Sequence, residues 1–198
     1  MSDILIDMNV EYEAVFTNVD KEEMRLRLEK AGAELKRPEY LQKRTAFNLP
    51  AGSDSVRGWA RVRDEGDRIT MSVKSVAGEG IESQKETCVT VDDFAQAEAL
   101  LQALGCEKKA YQETKRELWS LDGVEITIDT WPFLEPFVEI EGESESVVQQ
   151  VAEKLGFKWK EAKFCAVDVL YSEKYNIPVD RINNHTPKIV FEMENPFL

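Results

Sequence analysis

Two short segments of the chain carry glutamates at alternate positions. The segment "NVEYEAVF" contains Glu11 and Glu13, and the segment "FVEIE" contains Glu139 and Glu141. Because successive side chains of a β-strand point to opposite faces, each pair shares one face of its strand. Carboxylate oxygens are the ligands that Mg²⁺ and Mn²⁺ prefer, and water or substrate phosphate can complete the coordination. The two pairs are therefore candidate ligands for a divalent cation.

Two further segments place basic residues in the same alternating way. The segment "GWARVRD" contains Arg61 and Arg63, and "MSVK" ends on Lys74, which shares a face with Ser72. Guanidinium and ammonium groups bind phosphate oxygens through charge-assisted hydrogen bonds. Each strand taken alone can also be interpreted as the solvent face of a half-buried strand. Taken together, the sorting of charge by strand favours an interior with an acidic region for metal and a basic region for phosphates.

The composition limits what such a site can serve. A chain of 198 residues is long enough for one domain with a substantial core. The net charge of -13 argues against general nucleic-acid binding, which needs an excess of Lys and Arg.

The N-terminal "MSDILIDMNV" lacks a basic region and a long apolar core, and no later run approaches the roughly 20 apolar residues of a membrane span. We therefore expect a cytoplasmic protein without membrane or nucleic-acid partners, whose polyanion site is local and enclosed.

The cysteines and the histidine give no support for a zinc site. Cys88, Cys106 and Cys165 are widely spaced, form no CxxC pair and are accompanied by one histidine, His185. This spacing is typical of reduced structural thiols rather than of a disulfide framework. His185 lies in the polar stretch "INNHTP" and is interpreted as a solvated loop residue.

Three segments combine a helix-start signal with a glycine stop. In "VDKEEMRLRLEKAGAEL" Asp20 is the predicted N-cap, and in "VDDFAQAEALLQALGCE" the cap is Asp92 or Asp93. The third segment is "ESESVVQQVAEKLGFKW", and each of the three follows a strand-like run. The predicted stops are Gly32, Gly105 and Gly156.

The remaining pattern predicts about eight strands joined mostly by hairpins. The connections "RDEGDR" and "SLDGVE" contain the Glu-Gly and Asp-Gly pairs that suit tight turns. An eight-stranded barrel can hold inward side chains and one small ligand, and its apolar outer face would be covered by the three helices. The predicted fold is therefore α+β, a closed antiparallel eight-stranded β-barrel with helices packed outside.

The motifs in this order, from about residue 8 to about residue 170, resemble the CYTH superfamily. These triphosphate tunnel metalloenzymes include class IV adenylyl cyclases, thiamine triphosphatases and inorganic triphosphatases. The family opens on Glu-x-Glu-x-Lys, which "EYEAV" matches with Glu11 and Glu13. Its basic pair resembles "ARVRDEG", and its central lysine resembles "TMSVK". Its next strand resembles "SQKETCV", with Lys85 and Glu86, while "ETKREL" and "ITIDTWPFLEPFVEIEG" resemble its later basic and closing acidic segments.

The resemblance implies a tunnel that binds a triphosphate and one or two divalent metals, Mg²⁺ or Mn²⁺. The residues implied to bind phosphates are Arg61, Arg63, Lys74, Lys85 and Arg116. Those implied to bind metal are Glu11, Glu13, Glu139 and Glu141. The residues implied to take part in catalysis are Glu11, Glu13 and Asp129, the last as a further ligand or by orienting water.

Several positions depart from the family pattern. Val15 stands where the opening motif has Lys, which removes one phosphate or leaving-group contact. Arg44, Ala46 and Asn48 occupy positions where many relatives carry an Asp-x-Tyr-x-Asp-like pattern. Thr114 falls where a lysine often occurs. These losses bear on catalysis, whereas the retained Arg and Glu set favours binding of a triphosphate-like anion.

The leading hypothesis is metal-dependent hydrolysis of inorganic triphosphate or a small organic triphosphate, with water as the nucleophile. The alternatives are a class IV adenylyl cyclase, for which no adenine pocket is identifiable, and a triphosphate-binding module without catalysis. We expect residues 1–170 to form the tunnel domain and residues 171–198 a C-terminal extension. That extension could pack on the barrel, plug the tunnel mouth or form a homodimer.

Overall fold

The fold is given by a computed structural model that describes residues 8–53, 58–76, 78 and 80–198. Most of the N-terminal stretch interpreted above, residues 1–7, lies outside the described residues. The strands are β1 Asn9–Phe16, β2 Glu34–Asn48, β3 Gly58–Asp64, β4 Ile69–Val76, β5 Gln84–Val91, β6 Glu107–Leu121, β7 Val124–Thr130, β8 Phe137–Gly142 and β9 Lys188–Ile189. The helices are α1 Lys21–Ala31, α2 Phe94–Ala103, α3 Glu145–Lys154, α4 Val167–Tyr175 and α5 Val179–His185.

Strands β1 to β8 close into a barrel. Their order is β2-β3-β4-β5-β1-β8-β7-β6, and β2 also pairs with β6, so that the sheet returns to its first strand. Every pairing among these eight strands is antiparallel. The short β9 adds to β6 in parallel. The predicted α+β barrel with helices outside is confirmed, and β9 is an extra strand that the sequence analysis did not identify.

Local signals place the turns and helix ends as predicted. Asp122 and Gly123 both have positive φ, 53° and 84°, which is the conformation of the two-residue hairpin turn between β6 and β7. Asp20 accepts a hydrogen bond from the backbone N–H of Glu23, and Gly32 ends α1 in the left-handed region. The strand-then-helix order therefore recurs at β1-α1, β5-α2 and β8-α3.

Three helices cover the apolar outer face of the barrel. Helices α1 and α3 bury side chains such as Leu28 and Val148 against outward residues of β7 and β8, including Ile126 and Ile140. Helix α2 buries Leu101 in a second cluster over β2 and β3. Because the apolar residues of these strands face the helices, the alternate charged residues face inward. Among the helices in the described ranges, none has the length and apolar character to cross a membrane.

A third apolar cluster joins the C-terminal segment to Val15, near the C-terminal end of β1. We call it the C-terminal plug. Tyr171 is fully buried, and its hydroxyl donates a hydrogen bond to the carbonyl of Pro132 at 2.6 Å. The buried residues of the plug are Val15, Trp131, Phe137, Leu170, Tyr171, Ile182, Ile189 and Phe197.

Candidate functional site

The barrel encloses a cavity of about 380 Å³ whose walls are strongly charged. Inward positions of every strand from β1 to β8 contribute, because side chains alternate between the two faces of each strand. The charged lining residues are Glu11, Glu13, Arg44, Arg61, Arg63, Lys74, Glu86, Lys109, Arg116, Glu125, Glu139, Glu141 and Asp168. Eight of the ten residues predicted from the sequence are thus brought to one cavity, and Lys85 and Asp129 are not among its lining residues.

Lys85 lies on the outside of the barrel. Its neighbours on β5, Gln84 and Glu86, line the cavity, whereas the Lys85 side chain is exposed. Because neighbouring residues of a strand face opposite sides, Lys85 cannot share the inner face with Glu86. The structure therefore does not bring Lys85 to the cavity, where Gln84 and Glu86 form this part of the wall.

Asp129 supports a lining residue instead of lining the cavity itself. Only 1% of Asp129 is exposed, and its carboxylate accepts a hydrogen bond from the Arg116 Nε at 2.8 Å. The Arg116 guanidinium also contacts Glu139 at 2.5 Å. Two carboxylates therefore fix the orientation of the Arg116 guanidinium.

The acidic wall consists of Glu13, Glu139 and Glu141 on the neighbouring strands β1 and β8. Glu13 and Glu141 are cross-strand partners, and Glu13 accepts a hydrogen bond from the Gln84 amide at 3.1 Å. Burial and the nearby Glu13 raise the pKa of Glu141 to about 7. Burial, Glu13 and Asp129 likewise hold the pKa of Glu139 well above its usual range. Glu139 and Glu141 therefore hold protons more tightly than exposed carboxylates do.

Glu11 belongs to a different network. The Lys74 ammonium contacts Glu11 at 2.8 Å and Glu86 at 3.5 Å, and Arg61 contacts Glu86 at 2.9 Å. Burial raises the pKa of Glu11 to about 8, although Lys74 opposes this shift. Glu11 therefore acts on the geometry of Lys74, which in turn faces the cavity.

The basic wall consists of Arg44 on β2 and of Arg61 and Arg63 on β3. Arg44 and Arg63 are cross-strand partners, an arrangement that is destabilising for like charges. The Nε atoms of all three arginines are buried without a hydrogen-bond partner among the described residues. Burial, followed by repulsion from Arg61 and Arg116, lowers the pKa of Arg63 to about 10. Sequence reasoning missed Arg44, which it had classed as a departure from the family pattern.

The acidic wall fits a divalent cation chemically. Among the described parts of the chain, no three acidic, imidazole or thiolate side chains are already arranged to hold a metal ion. Mg²⁺ does not need such a cage, because it usually keeps several waters and takes one or two carboxylates together with substrate phosphates. Glu13, Glu139 and Glu141 supply hard oxygen donors, and their mutual repulsion would be relieved by a cation.

The C-terminal segment also lines the cavity. Asp168 and Tyr171 come from α4, and Ile182 and Asn183 come from α5. The Asn183 amide donates a hydrogen bond to the Asp168 carboxylate, which holds the two helices together at the wall. Sequence reasoning missed these residues because the segment beyond residue 170 matched no motif. The complete cavity can therefore hold an anion at its basic wall and a cation at its acidic wall.

The sequence model of one protein family, the CYTH domain, matches residues 8–168. No curated protein matches the chain significantly. The described fold is similar to that of several solved structures, each less than 25% identical in sequence. A conserved hypothetical protein from Pyrococcus furiosus is 22% identical with a TM-score of 0.66, and the alignment covers 79% of this chain and 96% of that one.

Two further structures are named after cyclases. A "putative adenylate cyclase" from Vibrio parahaemolyticus is 11% identical with a TM-score of 0.71, over 84% of this chain and 99% of that one. A "putative adenylyl cyclase" from Hippeastrum, described as having a dominant triphosphatase activity, is 12% identical with a TM-score of 0.53, over 87% of this chain and 99% of that one. At these identities the similarity shows the shared fold.

Proposed function

Because the chain belongs to the CYTH domain family, we propose that its tunnel binds a small triphosphate and hydrolyses it with Mg²⁺ or Mn²⁺. One observation carries the proposal: the buried Nε atoms of Arg44, Arg61 and Arg63 have no hydrogen-bond partner in the described part of the chain. A buried donor without a partner costs about 1–3 kcal/mol, and more when it is charged. Phosphate oxygens would accept from all three donors and neutralise the repulsion between these arginines.

Arg116 and Lys74, the other two basic residues in this proposal, are oriented by neighbouring carboxylates. Arg116 is oriented by Asp129 and Glu139, and Lys74 by Glu11 and Glu86. Phosphoryl transfer passes through a loose transition state whose charge is spread over the phosphoryl oxygens, so that positioning and electrostatic stabilisation carry most of the catalysis. Cations fixed in advance stabilise that charge without reorganising during the reaction.

The acidic wall supplies the metal ligands in this proposal. When bound, Mg²⁺ or Mn²⁺ neutralises phosphate charge and lowers the pKa of a coordinated water, which makes it a better nucleophile. Glu13, Glu139 and Glu141 would hold the ion. Glu11 is the weakest candidate of the four predicted metal ligands, because its carboxylate already pairs with Lys74 at 2.8 Å.

The size of the cavity favours a short substrate. Its volume of about 380 Å³ lies near the lower end of the roughly 300–1,000 Å³ typical of ligand pockets. Charged side chains from all eight barrel strands or their ends occupy the wall. A phosphate chain with no head group or a small one therefore fits better than a nucleotide, which favours hydrolysis over cyclisation of ATP.

A substrate panel tests the proposal. The purified protein is incubated with tripolyphosphate, ATP and thiamine triphosphate, each with Mg²⁺ and with Mn²⁺, while phosphate and cyclic AMP are measured. We expect phosphate release from tripolyphosphate or thiamine triphosphate that stops when the metal is chelated. Cyclic AMP from ATP would instead identify a cyclase, and saturable binding without turnover would identify a binding module.

A further inference from the structure

Arg44 is the one arginine of the basic wall that forms no ion pair with a carboxylate of the described residues. Arg61 pairs with Glu86 and Arg63 with Glu65, whereas the hydrogen bonds of Arg44 go to Gln42 and Thr114. Both of these partners are uncharged, and the Asp129 carboxylate offsets only part of the repulsion from Arg61, Arg63 and Arg116. Only 7% of Arg44 is exposed, so its charge is largely removed from bulk water.

Val15, on β1, occupies the position where the opening motif of the family has a lysine. This chain therefore has no cation there. Only 1% of Val15 is exposed, and it packs within the C-terminal plug together with Trp131 and Tyr171. A lysine at this position would have to place its ammonium group among aromatic and aliphatic side chains. The apolar environment of Val15 therefore removes the cation of the opening motif from the cavity.

Trp131 connects the two positions. Its ring packs in the same cluster as Val15, and the Arg44 guanidinium carbon lies 4.6 Å from its ring centroid. Both Arg44 and Trp131 line the cavity. A side chain from β2 thus brings a positive charge to the region that the side chain from β1 leaves uncharged.

We infer that Arg44 is a phosphate-binding residue that replaces, from β2, the cation missing at Val15. The inference rests on the proposed triphosphate site and states where in that site the phosphate chain binds. The chain lies against β2 and β3, with Arg44 and Arg63 on either side of one phosphate group. The anion removes the like-charge repulsion between these cross-strand partners. Arg44 thereby selects ligands that carry a phosphate at this end of the cavity.

The test uses the full chain with Arg44→Met, which keeps length and removes charge, and with Arg44→Lys, which keeps charge and removes the planar fork. Calorimetry with tripolyphosphate and Mg²⁺ should show affinity about 10- to 100-fold weaker for Arg44→Met, and a smaller loss for Arg44→Lys. Without ligand, Arg44→Met should melt about 2–4 °C higher, because it removes a buried charge. The hydrogen bond that Thr114 donates to Gln42 at 3.1 Å does not involve Arg44, so we expect both side chains to keep a partner in the variant.

Two comparison variants separate the possible outcomes. Arg27→Met, on the exposed side of α1, should leave the affinity unchanged, and Arg61→Met should weaken it. If the wild type binds and Arg61→Met does not, while Arg44→Met binds like the wild type, the inference is wrong and the proposed function stands. A different result would also overturn the inference. If Arg44→Met has a lower melting temperature and a lower affinity than the wild type, and Arg44→Lys restores neither, Arg44 is a structural residue. A wild type that binds no tripolyphosphate overturns the proposed function, and with it this inference.

Discussion

The acidic and basic walls of the tunnel both bury like charges close together, but they differ in how the cost of that burial is reduced. Glu139 and Glu141 reduce the cost of burial by holding protons more tightly, as their raised pKa values show. Arg44 and Arg63 have no such route, because a guanidinium group keeps its proton at any ordinary pH. The acidic wall can therefore remain empty at a modest cost, whereas the basic wall gains stability whenever an anion is bound. Ligand binding should depend first on the basic wall, and metal should strengthen it through the acidic wall.

Adding a cation to the acidic strand should have the largest effect on stability. Val15→Lys would bury an unpaired ammonium group in the C-terminal plug, where it should lower the free energy of unfolding by about 3–5 kcal/mol. Thermal unfolding without ligand measures this loss, with Val15→Ile as the control for size. Tighter tripolyphosphate binding at an unchanged melting temperature would show that position 15 faces the ligand and that the plug does not exclude it.

Removing charge from the acidic wall should separate activity from stability. Glu13→Gln keeps the side chain's shape, and we expect metal-dependent turnover to fall by about 100-fold or more. The ligand-free protein should melt at the same temperature or higher, because Glu13 no longer repels Glu139 and Glu141. Phosphate release and thermal unfolding are measured together, with the exposed Glu143→Gln as the control. A parallel loss of both would identify Glu13 as a structural residue.

Removing charge from the basic wall should weaken binding directly. Arg63→Ala is expected to lower tripolyphosphate affinity by about 10- to 100-fold, because a charge-assisted hydrogen bond inside an enclosed site is lost. Arg27→Ala, whose guanidinium pairs with Glu23 on an exposed helix face, should change affinity less than twofold. Similar effects of the two substitutions in calorimetry would show that the basic wall does not contact the ligand.

The smallest effect is expected on the outside of β5. Lys74→Gln removes a cation that faces the cavity and should weaken tripolyphosphate binding by about tenfold. Lys85→Gln removes a cation that faces solvent and should leave affinity and turnover unchanged within twofold. A loss of binding in the Lys85 variant that matches the Lys74 variant would contradict the placement of β5.

Much of the fold was predictable because it depends on local patterns. Period-two alternation located the barrel strands, and caps such as Asp20 and stops such as Gly32 located the helices. The positive φ of the Asp122-Gly123 turn needs the residue types that the sequence shows there. The inward placement of Glu13 and Arg63 followed from the same alternation once the barrel was assumed.

The remainder of the site depends on contacts between distant segments. Lys85 and Glu86 are adjacent in sequence, and motif similarity alone did not decide which of them faces inward. From the sequence, Arg44 was only a departure from the family pattern. Its proposed role depends on Arg63 and Trp131, which lie beside it only in the folded barrel. Asp168 joined the wall because α4 and α5 pack on the barrel, and no short-range pattern encodes that docking.

In the proposed function, the acidic wall binds metal and the basic wall, on the other side of the barrel, binds phosphate at the same time. Calorimetric titration of the wild type with tripolyphosphate, in Mn²⁺ and again in excess chelator, tests it most directly. We expect saturable binding at the basic wall that becomes at least about tenfold tighter with the metal, because a bound cation replaces the protons held by Glu139 and Glu141 and adds positive charge beside the phosphates. The same affinity under both conditions would contradict the account.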